Sequence, residues 1–130
     1  MEKTILKPRN LPPPTAPYYS WGVKVKDATL LFLSGVTALD ADGKIMGVGD
    51  IEAQTRKTLE NLKVLLKEAG ATLQDVIKVT VYLTSMDHLD AQLKVRSEYF
   101  KEKQPASTLV VAKSLFRPEC LIEIEAIAAI

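Results

Sequence analysis

The segment from Cys120 to Ala128 alternates strictly between two kinds of position. One set is wholly apolar or small, and the other set carries two carboxylates, Glu123 and Glu125. Because successive side chains of a strand point to opposite faces, this pattern predicts a strand with one dry face. The chain must therefore fold around a sheet that buries one of its faces.

The two carboxylates of this strand share a face. They lie between Leu121 and Ile127, so we expect Glu123 in particular to lie in a partly apolar cleft. Two interpretations stay open for them. They are either solvated surface groups, with or without lysine partners, or functional carboxylates, and exposure is the more common fate of a carboxylate.

Composition limits the classes of protein that the chain can belong to. Its 130 residues, 47% of them hydrophobic and 25% charged, predict one globular domain over residues 1–130. A net charge of +1 without a basic block does not favour nucleic acid or an anionic membrane as partner. One cysteine and no Cys/His cluster predict a reducing compartment, no metal and no disulfide. With no apolar window of about 18 residues, we expect a soluble, cytoplasmic protein.

Two helices are indicated by their caps and spacing. Asp50 is a candidate N-cap for a helix that Gly70 ends, and apolar residues recur between them at helical intervals. Ser85 is a candidate N-cap for a second helix, which we expect to run to about Lys103. Its predicted inner face combines Arg96 with three apolar residues, Leu89, Leu93 and Phe100.

Strands are predicted over residues 22–26, 29–36, 76–84, 108–113 and 120–129, after a proline-rich arm over residues 7–17. In the 76–84 strand, Ile77, Val79, Val81 and Leu83 should share one face. The element order predicts an α+β layer in which both helices pack on one face of a mixed sheet. The second face is apolar enough, through the segment TLVVA at residues 108–112, to favour self-assembly.

Several motifs along the chain are typical of one protein family. They are Ala16-Pro17-Tyr18 followed by Gly22, Leu33-Ser34-Gly35, DIEAQTRKTLENL at residues 50–62, DVIKVTVYLTSM at 75–86, EYF at 98–100, and PASTLVVAKSLFRPECLIEIEAIA from Pro105 to Ala128. In these the chain resembles the RidA/YjgF family of reactive-intermediate deaminases, also described as L-PSP endoribonuclease-like proteins and translation inhibitors. The resemblance implies a chorismate-mutase-like fold, a homotrimer with ligand clefts between subunits, a small-molecule metabolite as ligand, and no cofactor.

The resemblance breaks at the position that matters most for chemistry. In the archetypal deaminases an arginine follows the Pro-Ala pair and grips the substrate carboxylate with its planar fork, whereas this chain has Ser107. On the second helix, where the family tends to have asparagine and then tyrosine, this chain has Leu93 and Arg96. Glu123 does match the glutamate that the family associates with the hydrolytic water. The water-handling half of the site is therefore expected intact and the carboxylate-binding half altered.

The candidate site follows from these matches and departures. Glu123 and Ser107 are the candidate catalytic residues. The candidate substrate-binding residues are Tyr18, Ser34, Gly35, Ala106, Thr108, Arg96 and Arg117.

The two arginines are the cations that could replace the missing one. We expect Arg96 to extend outward from its apolar helix face rather than pair, and Arg117 to face solvent in a turn. His88 is expected to be a surface residue, and Cys120 an inert core thiol. An archetypal 2-imino acid should be handled poorly unless one of these arginines holds its carboxylate.

Three functions remain open at this point. The first is a hydrolytic deaminase of small enamines or imines, in which Glu123 positions the water. The second is a trimer that binds a small molecule without turnover. The third, a ribonuclease or translation inhibitor, depends only on the family's older description and is the least favoured, because fold alone does not settle function.

Overall fold

The alternating patterns fold into strands and the 3.6-residue patterns into helices, as the computed structural model describes for residues 1–102 and 104–130. The elements, in chain order, are β1 (Glu2–Ile5), β2 (Val23–Lys26), β3 (Leu30–Val36), α1 (Ile51–Glu68), β4 (Val76–Leu83), α2 (Leu89–Tyr99), β5 (Ala106–Val111) and β6 (Ile122–Ala129). Single 3₁₀ turns precede β4 and α2. Strand β1 was not expected; it pairs antiparallel with β2 in a separate two-stranded sheet.

The main sheet has four strands in the order β3-β6-β4-β5. Strand β6 pairs antiparallel with both β3 and β4, whereas β4 and β5 are parallel. The sheet is therefore mixed, and β3 and β5 are its edges. Helices α1 and α2 pack on one face, which confirms the predicted α+β layer.

Helix α1 follows its predicted limits closely. The Asp50 carboxylate accepts a hydrogen bond from the Ala53 backbone N–H at 3.0 Å, as an N-cap does. At the other end Gly70 adopts φ +75°, a left-handed conformation that suits glycine. Leucines 59, 62 and 66 of α1 are buried in the core. They pack with the inward residues of β4 and β6.

Strand β4 differs from its predicted facing at one end. The pairing with β6 shifts between Val76 and Lys78. This irregularity places Val76 in the core, fully buried, and leaves Ile77 only half-buried. The prediction that Ile77 shares the buried face was therefore wrong, because a bulge changes which side chains point inward. The buried facing of Val79, Val81 and Leu83 is confirmed.

Helix α2 is shorter than predicted. Ser85 does act as an N-cap, but for a 3₁₀ turn over Met86–His88, and the α-helix begins at Leu89 and ends at Tyr99. The predicted limit at Lys103 lies outside the described residues. The inner face is formed by Gln92, Val95 and Arg96, with Leu89 and Leu93 only half-buried.

Within the described residues, neither helix has the length and apolarity that a membrane crossing requires.

Candidate functional site

All of the predicted site residues except Arg117 fall into two groups on opposite faces of the sheet. Ser107 pairs with Val79, which pairs with Ala126, so its side chain lies on the helix-covered face. Glu123 alternates with buried Ile122 and Ile124 and so points to the other, open face. Within one chain the two candidate catalytic residues are therefore not neighbours.

The helix-side group is built around Arg96, whose predicted placement was wrong. Its side chain is 1% exposed rather than extended into solvent. Its Nη2 donates a hydrogen bond to the Ser107 hydroxyl at 3.0 Å, and its guanidinium carbon lies 5.2 Å from the centre of the Tyr18 ring. Helix α2 thus places a guanidinium beside residue 107 of β5, where the family's arginine is missing.

Tyr18 is held beside this pair by the backbone that follows it. Ser20 donates through its N–H to the Pro105 carbonyl at 3.0 Å and through its hydroxyl to the Gln104 carbonyl at 2.9 Å. These bonds fix the segment after Tyr18 against the start of β5. A cavity of about 160 Å³ opens here, and its lining is formed by Tyr18, Tyr19, Leu89, Leu93, Arg96, Ser107 and Leu109.

Burial sets the electrostatics of this group. Loss of hydration lowers the pKa of Arg96 to about 10, so the guanidinium is still charged at neutral pH. Among the residues that the structure describes, no carboxylate lies within ion-pair distance of it. Burial also raises the pKa of Tyr18, and the charge of Arg96 partly opposes that rise.

The open-face group is built around Glu123. An added Cβ at Gly35 would lie only 2.8 Å from Oε1 of Glu123, so the carboxylate occupies space that only glycine leaves free. The register shift between Leu33 and Val36 puts Ser34 and Gly35 in the irregular part of β3. Ser34 is exposed there. The glycine in the Leu33-Ser34-Gly35 motif thus leaves room for the Glu123 carboxylate.

The two strand carboxylates differ in their surroundings. Partial burial, and then the negative charge of Glu125, raise the pKa of Glu123. Glu125 instead accepts a hydrogen bond from the Tyr82 hydroxyl at 2.9 Å. Glu125 therefore has a structural partner, and Glu123 has none among the described side chains.

The remaining predicted residues lie apart from the Arg96 cavity. Thr108 is on the open face and accepts a hydrogen bond from Lys78 Nζ at 2.6 Å. Ala106 shares that face by strand alternation. Arg117 is exposed, as predicted, and donates to the Gly43 carbonyl. Its side chain is therefore not part of the cavity within one chain.

Cys120 and His88, which the sequence did not favour as site residues, differ in how far they are buried. Cys120 is buried, and burial raises the pKa of its thiol, in agreement with an inert core residue. His88 is half-buried at the end of the 3₁₀ turn before α2. In the described ranges no group of three or more His, Cys, Asp or Glu side chains could hold a metal ion.

Comparison with known proteins places this geometry in a family. A family profile described as Endoribonuclease L-PSP matches residues 9–130. A RutC family protein of Pyrococcus abyssi is 40% identical, and the alignment covers 98% of each chain. The 3-aminoacrylate deaminase RutC of Acinetobacter baylyi is 38% identical, again over 98% of each chain.

A solved structure agrees with these sequence matches. The YyfB protein of Yersinia pestis, described as a conserved Rid family protein of unknown function, superposes with a TM-score of 0.90 at 32% identity and full coverage of both chains. The departure at Ser107 has not changed the fold. The chain belongs to the RidA/YjgF family.

Proposed function

We propose that this protein hydrolyses small imines or enamines to the corresponding carbonyl compound and ammonia. The family supports a reactive-intermediate deaminase, and a relative that is 38% identical carries the name 3-aminoacrylate deaminase. The chain's charge of +1 gives no reason to prefer a nucleic acid as substrate. We expect the reaction to take place in the cytoplasm.

The observation that carries this proposal is the position of Glu123 against Gly35. A carboxylate without a partner, partly withdrawn from water and with a raised pKa, is suited to accept a proton from water and return it. Glu125, held by Tyr82, is less suited to that role. We therefore assign the general base to Glu123.

The chemistry follows from that assignment. Glu123 takes a proton from water while the water oxygen bonds to the imine carbon, and it returns that proton to the nitrogen as the C=N bond becomes single. The carbinolamine then loses ammonia: Glu123 passes the hydroxyl proton to the nitrogen, the C–N bond breaks, and a C=O bond forms. An enamine enters the same route after it tautomerises to the imine, with one proton added to its carbon and one removed from its nitrogen. No electrons are transferred to an outside acceptor.

We further propose that the complete cleft requires more than one copy of the chain. Proteins of this family are known as homotrimers. In this chain the open face exposes 73% of Phe32, on edge strand β3, and the opposite edge, β5, exposes 40% of Val110. Covering such residues by a second copy is favourable. A neighbour could then bring its Arg96 cavity to the Glu123 face.

A small-molecule-binding protein without turnover is the second candidate. The unpaired guanidinium beside a cavity favours it, because that arrangement supports binding whether or not water is activated. The two candidate functions predict different results in one measurement, the turnover of an imine.

The deciding experiment uses imino acids generated in place by an amino-acid oxidase. Formation of the 2-oxo acid is followed in competition with chemical trapping of the imine, with and without the protein. Faster formation of the 2-oxo acid supports hydrolysis. Saturable ligand binding with no acceleration of any imine would replace the deaminase by the binding protein.

A further inference from the structure

The buried guanidinium of Arg96 is an incomplete interaction. Its neighbours are a hydroxyl, Ser107, and an aromatic ring, Tyr18, and neither carries a full negative charge at neutral pH. Its Nε is buried and has no hydrogen-bond partner. Burying an unpaired charge is strongly unfavourable unless an opposite charge and hydrogen-bond acceptors are supplied.

The shape of the surrounding cavity limits what could supply them. The volume of about 160 Å³ is small, and three leucines, Leu89, Leu93 and Leu109, form its apolar wall. Tyr18 and Tyr19 add aromatic surface. Such a site suits a single planar anion joined to a compact apolar body. A carboxylate matches the planar fork of a guanidinium with two parallel hydrogen bonds.

We propose that Arg96 is the anion-binding residue of this protein and that it selects small monocarboxylates with a compact apolar body, which bind between α2 and the start of β5. Ser107 holds the guanidinium in place by accepting from Nη2. Arg96 is thus a specificity-determining residue contributed by a helix.

One part of this inference rests on the proposed function and one part does not. That the natural ligand is an imino acid rests on the deaminase proposal. That Arg96 binds a carboxylate depends only on the geometry of the cavity, and it holds equally for a protein that binds without turnover.

A matched pair of probes separates charge from shape. Isobutyrate and isobutyramide are nearly the same size, but only the first carries a negative charge. We expect the full-length protein to bind isobutyrate at least about 30-fold more tightly than the amide, the lower end of what a buried charge-assisted contact is worth. Titration followed by NMR should also move the signal of the Arg96 Nε–H, whose partner is missing in the free protein.

Two arginine variants provide the test and its control. Arg96→Met keeps much of the side-chain volume and should stay folded, since replacing a buried charge by an apolar side chain is often neutral or stabilising. It should lose the preference for isobutyrate. Arg56→Met removes an exposed arginine of α1, which pairs with Glu98 at the surface, and should leave the preference unchanged. If the Arg96→Met variant does not fold, the Nε–H titration of the wild type still decides.

The outcomes keep this inference apart from the deaminase proposal. Equal binding of both probes, or an Nε–H signal that isobutyrate leaves in place, overturns the role of Arg96. Imine hydrolysis that Arg96→Met leaves at the wild-type kcat/KM overturns it too, while the deaminase proposal survives. Arg96-dependent carboxylate binding without hydrolysis of any imine has the opposite meaning: the deaminase proposal fails and the inference stands.

Discussion

Glu123 occupies the volume that a side chain at residue 35 would fill. A Cβ added at residue 35 would lie 2.8 Å from Oε1 of Glu123, which is too close for real atoms. One of the two must shift, and the end of the flexible glutamate is the part that can move. The identity of residue 35 therefore controls where the carboxylate is held.

The first prediction tests that control. Gly35→Ala should lower imine turnover by about tenfold or more, because a displaced base loses its alignment with the water. Its melting temperature should change little. The control is Gly43→Ala, at φ +78° with open space around it, which should lose about 1–2 kcal/mol of stability and keep its turnover. Unchanged turnover in Gly35→Ala would separate Glu123 from the reaction.

The second prediction compares the two strand carboxylates. Glu123→Gln keeps the volume but removes the base, so turnover should fall about 100-fold or more. Glu125→Gln still offers an amide oxygen to the Tyr82 hydroxyl and should lose much less. Steady-state kinetics on both variants decide the point. Small and equal losses would mean that both carboxylates are structural.

The third prediction concerns the pH dependence. Only the deprotonated Glu123 can accept a proton, so kcat/KM should fall as the pH drops through its pKa, which partial burial raises above the ordinary value for a glutamate. The charge of Glu125 contributes to that rise. In Glu125→Gln the pKa of Glu123 should therefore drop, and the acid limb should move to lower pH. An unmoved limb would assign it to another group.

The fourth prediction concerns position 107. From the sequence, an added arginine there should raise activity toward 2-imino acids. The structure predicts the opposite, because Ser107→Arg would place a second cation at about hydrogen-bond distance from the Arg96 guanidinium. Activity and stability should both fall.

The matching double variant, Arg96→Tyr with Ser107→Arg, should recover part of what each single change loses. The comparison is a double-mutant cycle on kcat/KM. Additive losses would show that the two positions do not share one anion.

The fifth prediction tests assembly. Phe32→Asp, on the exposed open face, should convert a trimer into smaller species, as sedimentation would show, and abolish turnover with it. Val64→Asp is the control, because Val64 is similarly exposed, at 68%, but lies on α1. A wild-type protein that sediments as a monomer at micromolar concentration would contradict the proposed shared cleft.

The fold could be predicted from the sequence because it depends on local, repeated sequence patterns. The alternation of β6 and the capped helical pattern of α1 each predict which side chains are buried. The burial seen in the structure confirms both predictions. The facing of Ile77 was not readable, because a bulge depends on how β4 registers with β6. Nothing within β4 itself marks that shift.

The site was only partly readable for a similar reason. Sequence placed Arg96 on the inner helix face, but the general tendency of arginine to reach solvent argued for exposure. The partners that keep it inside, Ser107 and Tyr18, come from other elements. The separation of Ser107 from Glu123 by the sheet likewise follows from strand order and register, which motif matching does not contain.

The position of Arg96 on a helix has a consequence for how such a protein can diversify. The proposed anion-binding residue and the proposed base are carried by different elements and separated by the thickness of the sheet. A change that exchanges one ligand for another can arise on α2 or β5 while the β3–β6 pair is left alone. Recognition and reactivity can therefore be inherited and altered as independent traits.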